Sequence, residues 1–90
     1  LGFFFQRPLW EGVSGEDVRY LQIFLNYLGC TVATTGPGSP GQESTFFGNL
    51  TRDALIKYQD RYRTEILTPV NLTRGTGFFG PSTIKFINSQ

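Results

Sequence analysis

Length, composition and charge restrict the kinds of protein this chain can be. Ninety residues with a net charge of +1 correspond to one small domain. The eight Lys and Arg residues are scattered along the chain, whereas nucleic-acid binding usually requires a clustered basic face, so we expect no nucleic-acid partner. No apolar run approaches the roughly 18 residues of a membrane span, and none is expected here. Because the chain does not begin with Met, we expect residues 1–90 to be a single domain excised from a longer protein.

The composition also removes most kinds of catalytic site. The chain has no His, which excludes Ser-His-Asp and Cys-His nucleophiles and His-ligated metals. Cys30 is the single cysteine, so a disulfide framework and a multi-cysteine metal site are excluded, and a buried structural role is expected. The acidic residues fit helix faces and caps rather than the facing pair that a glycosidase needs. The chain is therefore predicted not to be an enzyme and to use no cofactor or metal.

An extended lead-in followed by a helix is predicted for the first third of the chain. Residues 1–13 are rich in aromatic side chains without helical spacing, so we expect an extended segment that packs on the helices. Ser14 is the expected N-cap, and Asp17 would complete a capping box. The helix should run from Gly15 to Leu28 and end at Gly29. Its core-facing stripe follows i, i+3, i+4 spacing and consists of Val18, Leu21, Phe24, Leu25 and Leu28.

A second apolar row lies beside this stripe, formed by Tyr20, Ile23 and Tyr27. At about 100° per residue these side chains lie well off the core centre, so another segment should cover them. The Gly- and Pro-rich segment 33–46 is the candidate cover, because its composition excludes a helix or a central strand. Loops of this length in compact domains are usually functional or mobile.

Two further helices are predicted, each opened by the same short phrase. Phe47-Gly48-x-x-Thr51 opens a helix from about Asn49 to Tyr62, and Phe79-Gly80-x-x-Thr83, 32 positions later, opens one from Pro81 to about Asn88. Self-similarity at a fixed period is typical of a supersecondary unit used repeatedly. Residues 64–78 are predicted to form a second long loop. The predicted fold is all-α, a compact three-helix bundle with an internal pseudo-repeat and two long loops that contain Gly and Pro.

Three kinds of residue recur with this phrase and have expected structural roles. The Gly permits a tight turn into the helix, and Thr51 or Thr83 can supply an oxygen to free N–H groups of the first turn. Gln22 and Gln59 each follow a core position, and a buried amide must be hydrogen-bonded. We therefore expect each Gln side chain to hold the backbone of the opposite loop.

Taken together, three blocks of sequence resemble the peptidoglycan-binding-like domain family. They are Leu9-x-x-Gly12-x-x-Gly15-x-Asp17-Val18-x-x-Leu21-Gln22, then Phe47-Gly48-x-x-Thr51-x-x-Ala54-Leu55-x-x-Tyr58-Gln59, then Gly77-Phe78-Phe79-Gly80-Pro81-x-Thr83. The resemblance implies a three-helix module that accompanies secreted bacterial cell-wall enzymes. It further implies non-catalytic, carbohydrate-binding attachment to peptidoglycan and an extracellular or cell-envelope location. The loops at 33–46 and 64–78 are longer than in a minimal member of this family.

Five residues are predicted to contact this ligand, which can be the glycan strand or the stem peptide. They are Trp10, Tyr27, Phe46, Asn49 and Arg52. Aromatic rings suit sugar faces, and Arg52 suits a stem-peptide carboxylate. We expect a monomer with an attached catalytic or surface domain. The alternative is a protein–protein interaction or scaffolding module of the cell envelope that uses the row Tyr20, Ile23 and Tyr27, provided that this row is bare.

Overall fold

Four helices make up the regular structure of residues 2–90, which a computed structural model describes. They are α1 (Glu16–Tyr27), α2 (Asn49–Arg61), α3 (Arg63–Ile66) and α4 (Pro81–Asn88), with a 3₁₀ turn at Thr68–Val70. Within residues 2–90 no strand occurs, only two isolated β-bridges. The helices of that range are too short or too polar to cross a membrane. The radius of gyration of 11.9 Å is close to the ~12 Å of a compact domain of this length. Because all regular elements of residues 2–90 are helical, the all-α prediction is confirmed.

The predicted capping box at the start of α1 is wrong. The N-cap is Gly15, and no side chain caps the helix. Instead, the Arg7 guanidinium donates to both carboxylate oxygens of Asp17, at 2.7 and 3.0 Å, and to the Ser14 carbonyl oxygen at 2.9 Å. A bidentate Arg–carboxylate pair is stronger than a neutral cap. Asp17 therefore connects the lead-in to α1 through Arg7 and does not take part in a capping box.

The segment 64–78 was predicted to be a loop, but its first part is helical. Residue Tyr62 ends α2 with φ −109° and ψ 44°, and α3 starts immediately afterwards. Ile66 and Leu67 are both buried, and burying this apolar pair requires the chain to turn inward where Pro69 and the later glycines predict an exposed loop. The three predicted helices correspond to α1, α2 and α4, and the structure adds the short helix α3.

One apolar core joins the lead-in to the helices. Phe5 and Leu9 are fully buried within the cluster that holds the α1 stripe, and the Phe5 and Phe79 rings meet edge to face at 5.0 Å. The Asn88 side chain accepts from the Phe5 N–H and donates to the Phe5 carbonyl oxygen, both at 2.9 Å. The expected packing of the lead-in is confirmed for Phe5 and Leu9, and Phe3 and Val13 are partly buried against the same core. Phe4 and Trp10 are exposed, and Leu1 lies outside the described residues. Cys30 is buried as expected, and this burial raises the pKa of its thiol.

The Gln22 amide joins α1 to the segment that leads into α2. The Gln22 side-chain oxygen accepts from the Ser44 N–H at 2.6 Å. Its NH₂ group donates to the Phe46 carbonyl oxygen at 3.0 Å and to the Thr51 hydroxyl at 2.9 Å. Gln22 is 1% exposed, so its amide forms these hydrogen bonds with protein groups in place of hydrogen bonds with water.

The Gln59 amide makes the corresponding bonds between α2 and the segment that leads into α4. Its oxygen accepts from the Thr76 and Gly77 N–H groups at 2.9 and 3.0 Å. Its NH₂ group donates to the Phe78 carbonyl oxygen at 2.8 Å and to the Thr83 hydroxyl at 3.1 Å. The predicted role of both glutamines is confirmed. The predicted capping role of the threonines is wrong, because α2 and α4 have no side-chain cap and both hydroxyls accept from glutamine instead.

The lead-in also joins the starts of α2 and α4 directly. Leu9 and Phe79 exchange two backbone hydrogen bonds, at 3.0 and 2.9 Å. A few residues further on, the Gly12 N–H donates to the Phe47 carbonyl oxygen at 2.7 Å, and the Phe47 N–H donates to the Val13 carbonyl oxygen at 2.9 Å. The short segment 9–13 therefore lies between the starts of these two helices and holds both of them.

We predict that Gln59→Leu strongly destabilises the domain. Leucine fills similar space but leaves two loop N–H groups and the Phe78 carbonyl without their partner, at roughly 1–3 kcal/mol for each unsatisfied group. The free energy of unfolding in urea should fall by about 3 kcal/mol or more. The control Gln6→Leu changes an exposed glutamine and should stay within about 0.5 kcal/mol of the wild type. Equal losses in the two variants would contradict a structural role for the amide.

We also predict a pH-dependent contribution from Asp17. The hydrogen bond from Arg7 lowers the pKa of Asp17 below its ordinary value of 3.8. A lowered pKa in the folded state stabilises the fold above the ordinary value, and this stabilisation is lost as the pH falls through the lowered one. Asp17→Asn should therefore have a lower urea midpoint than the wild type at pH 7. The difference should shrink below about pH 4, and a difference that is constant down to pH 2 would refute this role of the ion pair.

Candidate functional site

The five predicted contact residues lie at three places on the surface. Phe46 is 54% exposed and shares a groove with exposed Asn49. Trp10, 51% exposed, is adjacent in sequence to the Glu11 that pairs with Arg52. Tyr27, 85% exposed, lines a different groove. The structure therefore brings Phe46 together with Asn49 and Trp10 near Arg52, and it places Tyr27 apart.

The Phe46 groove lies between the start of α2 and the 33–46 loop. Its volume is about 190 Å³, with Gln22 and Thr51 at its base and Pro37 on its loop side. The loop is held by Asn26, which donates to the Gly38 carbonyl oxygen and to Glu43, both at 2.9 Å. The loop thus forms a wall of this groove.

The Phe46 ring lies over the glycine that precedes α2. A Cβ atom on Gly48 would stand 3.2 Å from this ring. The φ of Gly48 is −102°, which any residue can adopt, so glycine is needed here for space and not for backbone freedom. Phe47 is buried, and neighbouring residues of an extended segment point to opposite sides. These two constraints hold the Phe46 ring outward and next to the start of α2.

Phe78 repeats this arrangement at the start of α4, and sequence reasoning missed it as a site residue. It is 44% exposed, and a Cβ atom on Gly80 would stand 2.5 Å from its ring. The Phe78 groove has a volume of about 250 Å³. Its lining is mostly apolar and includes Ile66, Leu67, Val70, Leu72, Phe78 and Pro81. The signal that could have found Phe78 is its position 32 residues after Phe46.

A ridge between these two grooves carries Trp10 and Arg52. The Trp10 and Phe78 rings are 6.3 Å apart. The Arg52 guanidinium donates to Glu11 at 2.8 Å and to Asp53 at 3.1 and 3.2 Å. These bonds use three of the five N–H donors of a guanidinium, which leaves two for a ligand as far as residues 2–90 are concerned. The Arg52 stem lies against Gly77, where a Cβ atom would overlap it.

The Tyr27 groove is larger than the Phe46 and Phe78 grooves, at about 510 Å³. It is lined mainly by apolar and aromatic side chains, namely Ile23, Phe24, Tyr27, Leu28, Tyr58 and Tyr62. The Tyr58 hydroxyl is buried beside it without a hydrogen-bond partner among residues 2–90, and burial raises the pKa of this phenol.

The second apolar row of α1 is not covered by the 33–46 loop, contrary to our expectation. Tyr20, Ile23 and Tyr27 are all exposed, although the Phe3 ring stacks on Tyr20 at 4.3 Å. The loop is diverted because its backbone and Glu43 bind Asn26, a polar residue on another face of α1. The row is therefore bare along most of its length.

Within residues 2–90, no cluster of three acidic or cysteine side chains is arranged to hold a metal ion. The surface offers instead shallow grooves, exposed aromatic rings and amide or guanidinium donors. Such a surface can bind a ligand through ring faces and hydrogen bonds.

Comparison with protein families identifies the class. Residues 14–66 match the family described as "Putative peptidoglycan binding domain". The matched region is more than half of the chain, so the chain belongs to this family. It runs from just before α1 to the end of α3 and contains the Gln22 network and the residues Phe46, Asn49 and Arg52. Searches of curated proteins and of solved structures find no match.

Proposed function

We propose that this chain is a non-catalytic module that binds bacterial peptidoglycan outside the cell and holds an attached protein at the wall. Family membership itself suggests peptidoglycan binding and an association with the cell envelope. The observation that carries the proposal to a site is the exposed Phe46 ring, which lies beside a groove of mixed polar and apolar lining inside the family-matched region. We propose that the module is monomeric and that residues 1–90 form this one domain.

The proposed contacts use four of the five predicted residues. Trp10 and Phe46 would stack on sugar faces, which are apolar. The Asn49 amide would bond sugar or acetamido oxygens, and the unused N–H donors of Arg52 would bond an oxygen of the glycan or of the stem peptide. Tyr27 shares no groove with these residues. Because the grooves are shallow, little area is buried and we expect weak binding, on the order of micromolar or poorer.

We also propose that the domain is a three-helix bundle built from an internal pseudo-repeat, with α3 as an insertion after α2. The N-caps of α2 and α4, at Gly48 and Gly80, have the same backbone angles to within a few degrees. Beside each, the amide of a buried Gln binds a Phe carbonyl oxygen and a Thr hydroxyl. A duplicated supersecondary unit accounts for both.

The test is retention of the purified domain on insoluble peptidoglycan sacculi. We expect the wild type to be retained, and Trp10→Ala, Phe46→Ala and Arg52→Ala each to bind roughly threefold to tenfold more weakly, as expected for loss of a stacking or charge-assisted contact. The matched control is Phe4→Ala, which removes another exposed ring.

Equal retention of all variants would discard this site but keep the function. No retention of the wild type on sacculi of several wall types would refute wall binding.

A second candidate function is favoured by the bare apolar row of α1. Exposed apolar surface next to an aromatic groove of about 510 Å³ is typical of a protein-interaction site. On this alternative, the chain is a protein–protein interaction or scaffolding module of the cell envelope, and Tyr27 and Ile23 contact the partner.

For this alternative we predict that a photo-crosslinker at position 27 captures an envelope protein and that one at position 4 does not. Binding of that protein, once purified, should weaken at least tenfold with Ile23→Asp, because a charge cannot be buried unpaired, and should be unaffected by Trp10→Ala. A partner that binds Ile23→Asp as tightly as the wild type would exclude this surface.

A further inference from the structure

The Phe46 and Phe78 grooves are built to the same plan. Each contains a Phe ring seated over the glycine two residues later, and the glutamine amide that binds the Phe carbonyl oxygen also forms part of its lining. The Phe-Phe-Gly segments that build them, starting at Phe46 and at Phe78, are 32 residues apart in the sequence. The chain therefore presents two copies of one surface feature, and only the first was among the predicted contacts.

The starts of α2 and α4, where the two grooves begin, are close together. Leu9 is hydrogen-bonded to Phe79 at the start of α4, and Val13 is hydrogen-bonded to Phe47 at the start of α2. Four residues of chain span at most ~14 Å. Trp10 and Glu11 lie in this interval, with Trp10 beside Phe78 and Glu11 paired with Arg52.

Arg52 links the grooves from the side of α2. It is three residues after Asn49, so the two side chains are neighbours on the helix surface, and Asn49 lines the Phe46 groove. The Arg52 stem packs on Gly77, which immediately precedes Phe78. The order along the surface is therefore Phe46, Asn49, Arg52, Trp10 and Phe78.

The charges on this ridge disfavour an anionic ligand. Arg52 is paired with two carboxylates, Glu11 at 2.8 Å and Asp53 at 3.1 Å, so this group of three carries a net negative charge. A free peptide carboxylate would be repelled by the two acids, whereas an uncharged sugar with hydroxyl and acetamido groups can bond to both the acids and the guanidinium. A repeated groove also matches a ligand with a repeating structure.

We propose that the two grooves are subsites for one extended strand of N-acetylated sugars, which lies across the Trp10–Arg52 ridge and contacts Phe46 at one end and Phe78 at the other. This inference rests on the proposed function and makes it specific: the ligand is an internal stretch of the glycan strand and not the stem peptide. The Phe78 groove is the more apolar of the two, because Ile66, Leu67, Val70 and Leu72 line it and Pro81 stands at the position that corresponds to Asn49. The strand therefore meets two chemically different ends of the site.

The experiment measures binding of uncharged β-1,4-linked N-acetylglucosamine oligomers of increasing, defined length to the purified domain, because glycan strands stripped of peptide carry a free lactyl carboxylate on every second sugar. Linking two weak subsites raises affinity steeply once one chain reaches both. We expect the wild type to gain at least about tenfold in affinity when the chain becomes long enough, and little beyond that length. Phe46→Ala and Phe78→Ala should each remove this step and leave only the gradual rise that more binding positions per chain produce.

Gly80→Ala is a second variant that keeps the phenyl ring but displaces it, because the new Cβ atom would stand 2.5 Å from the Phe78 ring. It should behave like Phe78→Ala. The matched control is Gly2→Ala, where a Cβ atom meets nothing within 4 Å. Urea midpoints confirm that each variant is folded.

The outcomes separate this inference from the proposed function. Binding to sacculi without a length step, or a step that survives Phe78→Ala, would overturn the two-groove strand and leave wall binding intact. Binding to peptide-bearing strands but not to the uncharged oligomers would identify the stem peptide and overturn it as well. No binding to sacculi or to any glycan would refute the proposed function itself.

Discussion

Two buried primary amides are the constraint on which the rest of this structure depends. The loops that lead into α2 and α4 have no sheet to satisfy their backbone groups, and a buried N–H or carbonyl without a partner costs roughly 1–3 kcal/mol. Gln22 and Gln59 each supply one acceptor and two donors at these points. In a domain this small, stability is marginal. The hydrogen bonds that the two amides make with these backbone groups therefore decide where α2 and α4 can begin.

The same constraint creates the surface proposed to bind the wall. Once the carbonyl oxygens of Phe46 and Phe78 are held by the amides, the next residue of each pair enters the core. The ring before it then has to face solvent. The following glycine lets that ring lie against the start of the helix. Fold stability and ligand contact are therefore properties of one local arrangement.

Our errors from sequence share a physical cause, which is competition from residues far away in the chain. A capping box was expected at Ser14 and Asp17, but Arg7 offers Asp17 a stronger bidentate partner. The threonines of the repeated phrase were expected to cap helices, but their hydroxyl groups accept hydrogen bonds from the glutamine amides instead. The 33–46 loop was expected to cover the apolar row of α1, but Asn26 holds it elsewhere.

The sequence by itself determined the helical class, the α1 stripe, the bounds of α4 and the tie made by each buried glutamine, because these follow from local periodicity and from the cost of an unpaired amide. It also determined the family, which the match over residues 14–66 confirms. Only the tertiary structure decided that Trp10 lies beside Phe78 and that Tyr27 lies apart. Such neighbours are set by how the lead-in crosses the starts of α2 and α4, which is a contact between segments that local spacing does not encode.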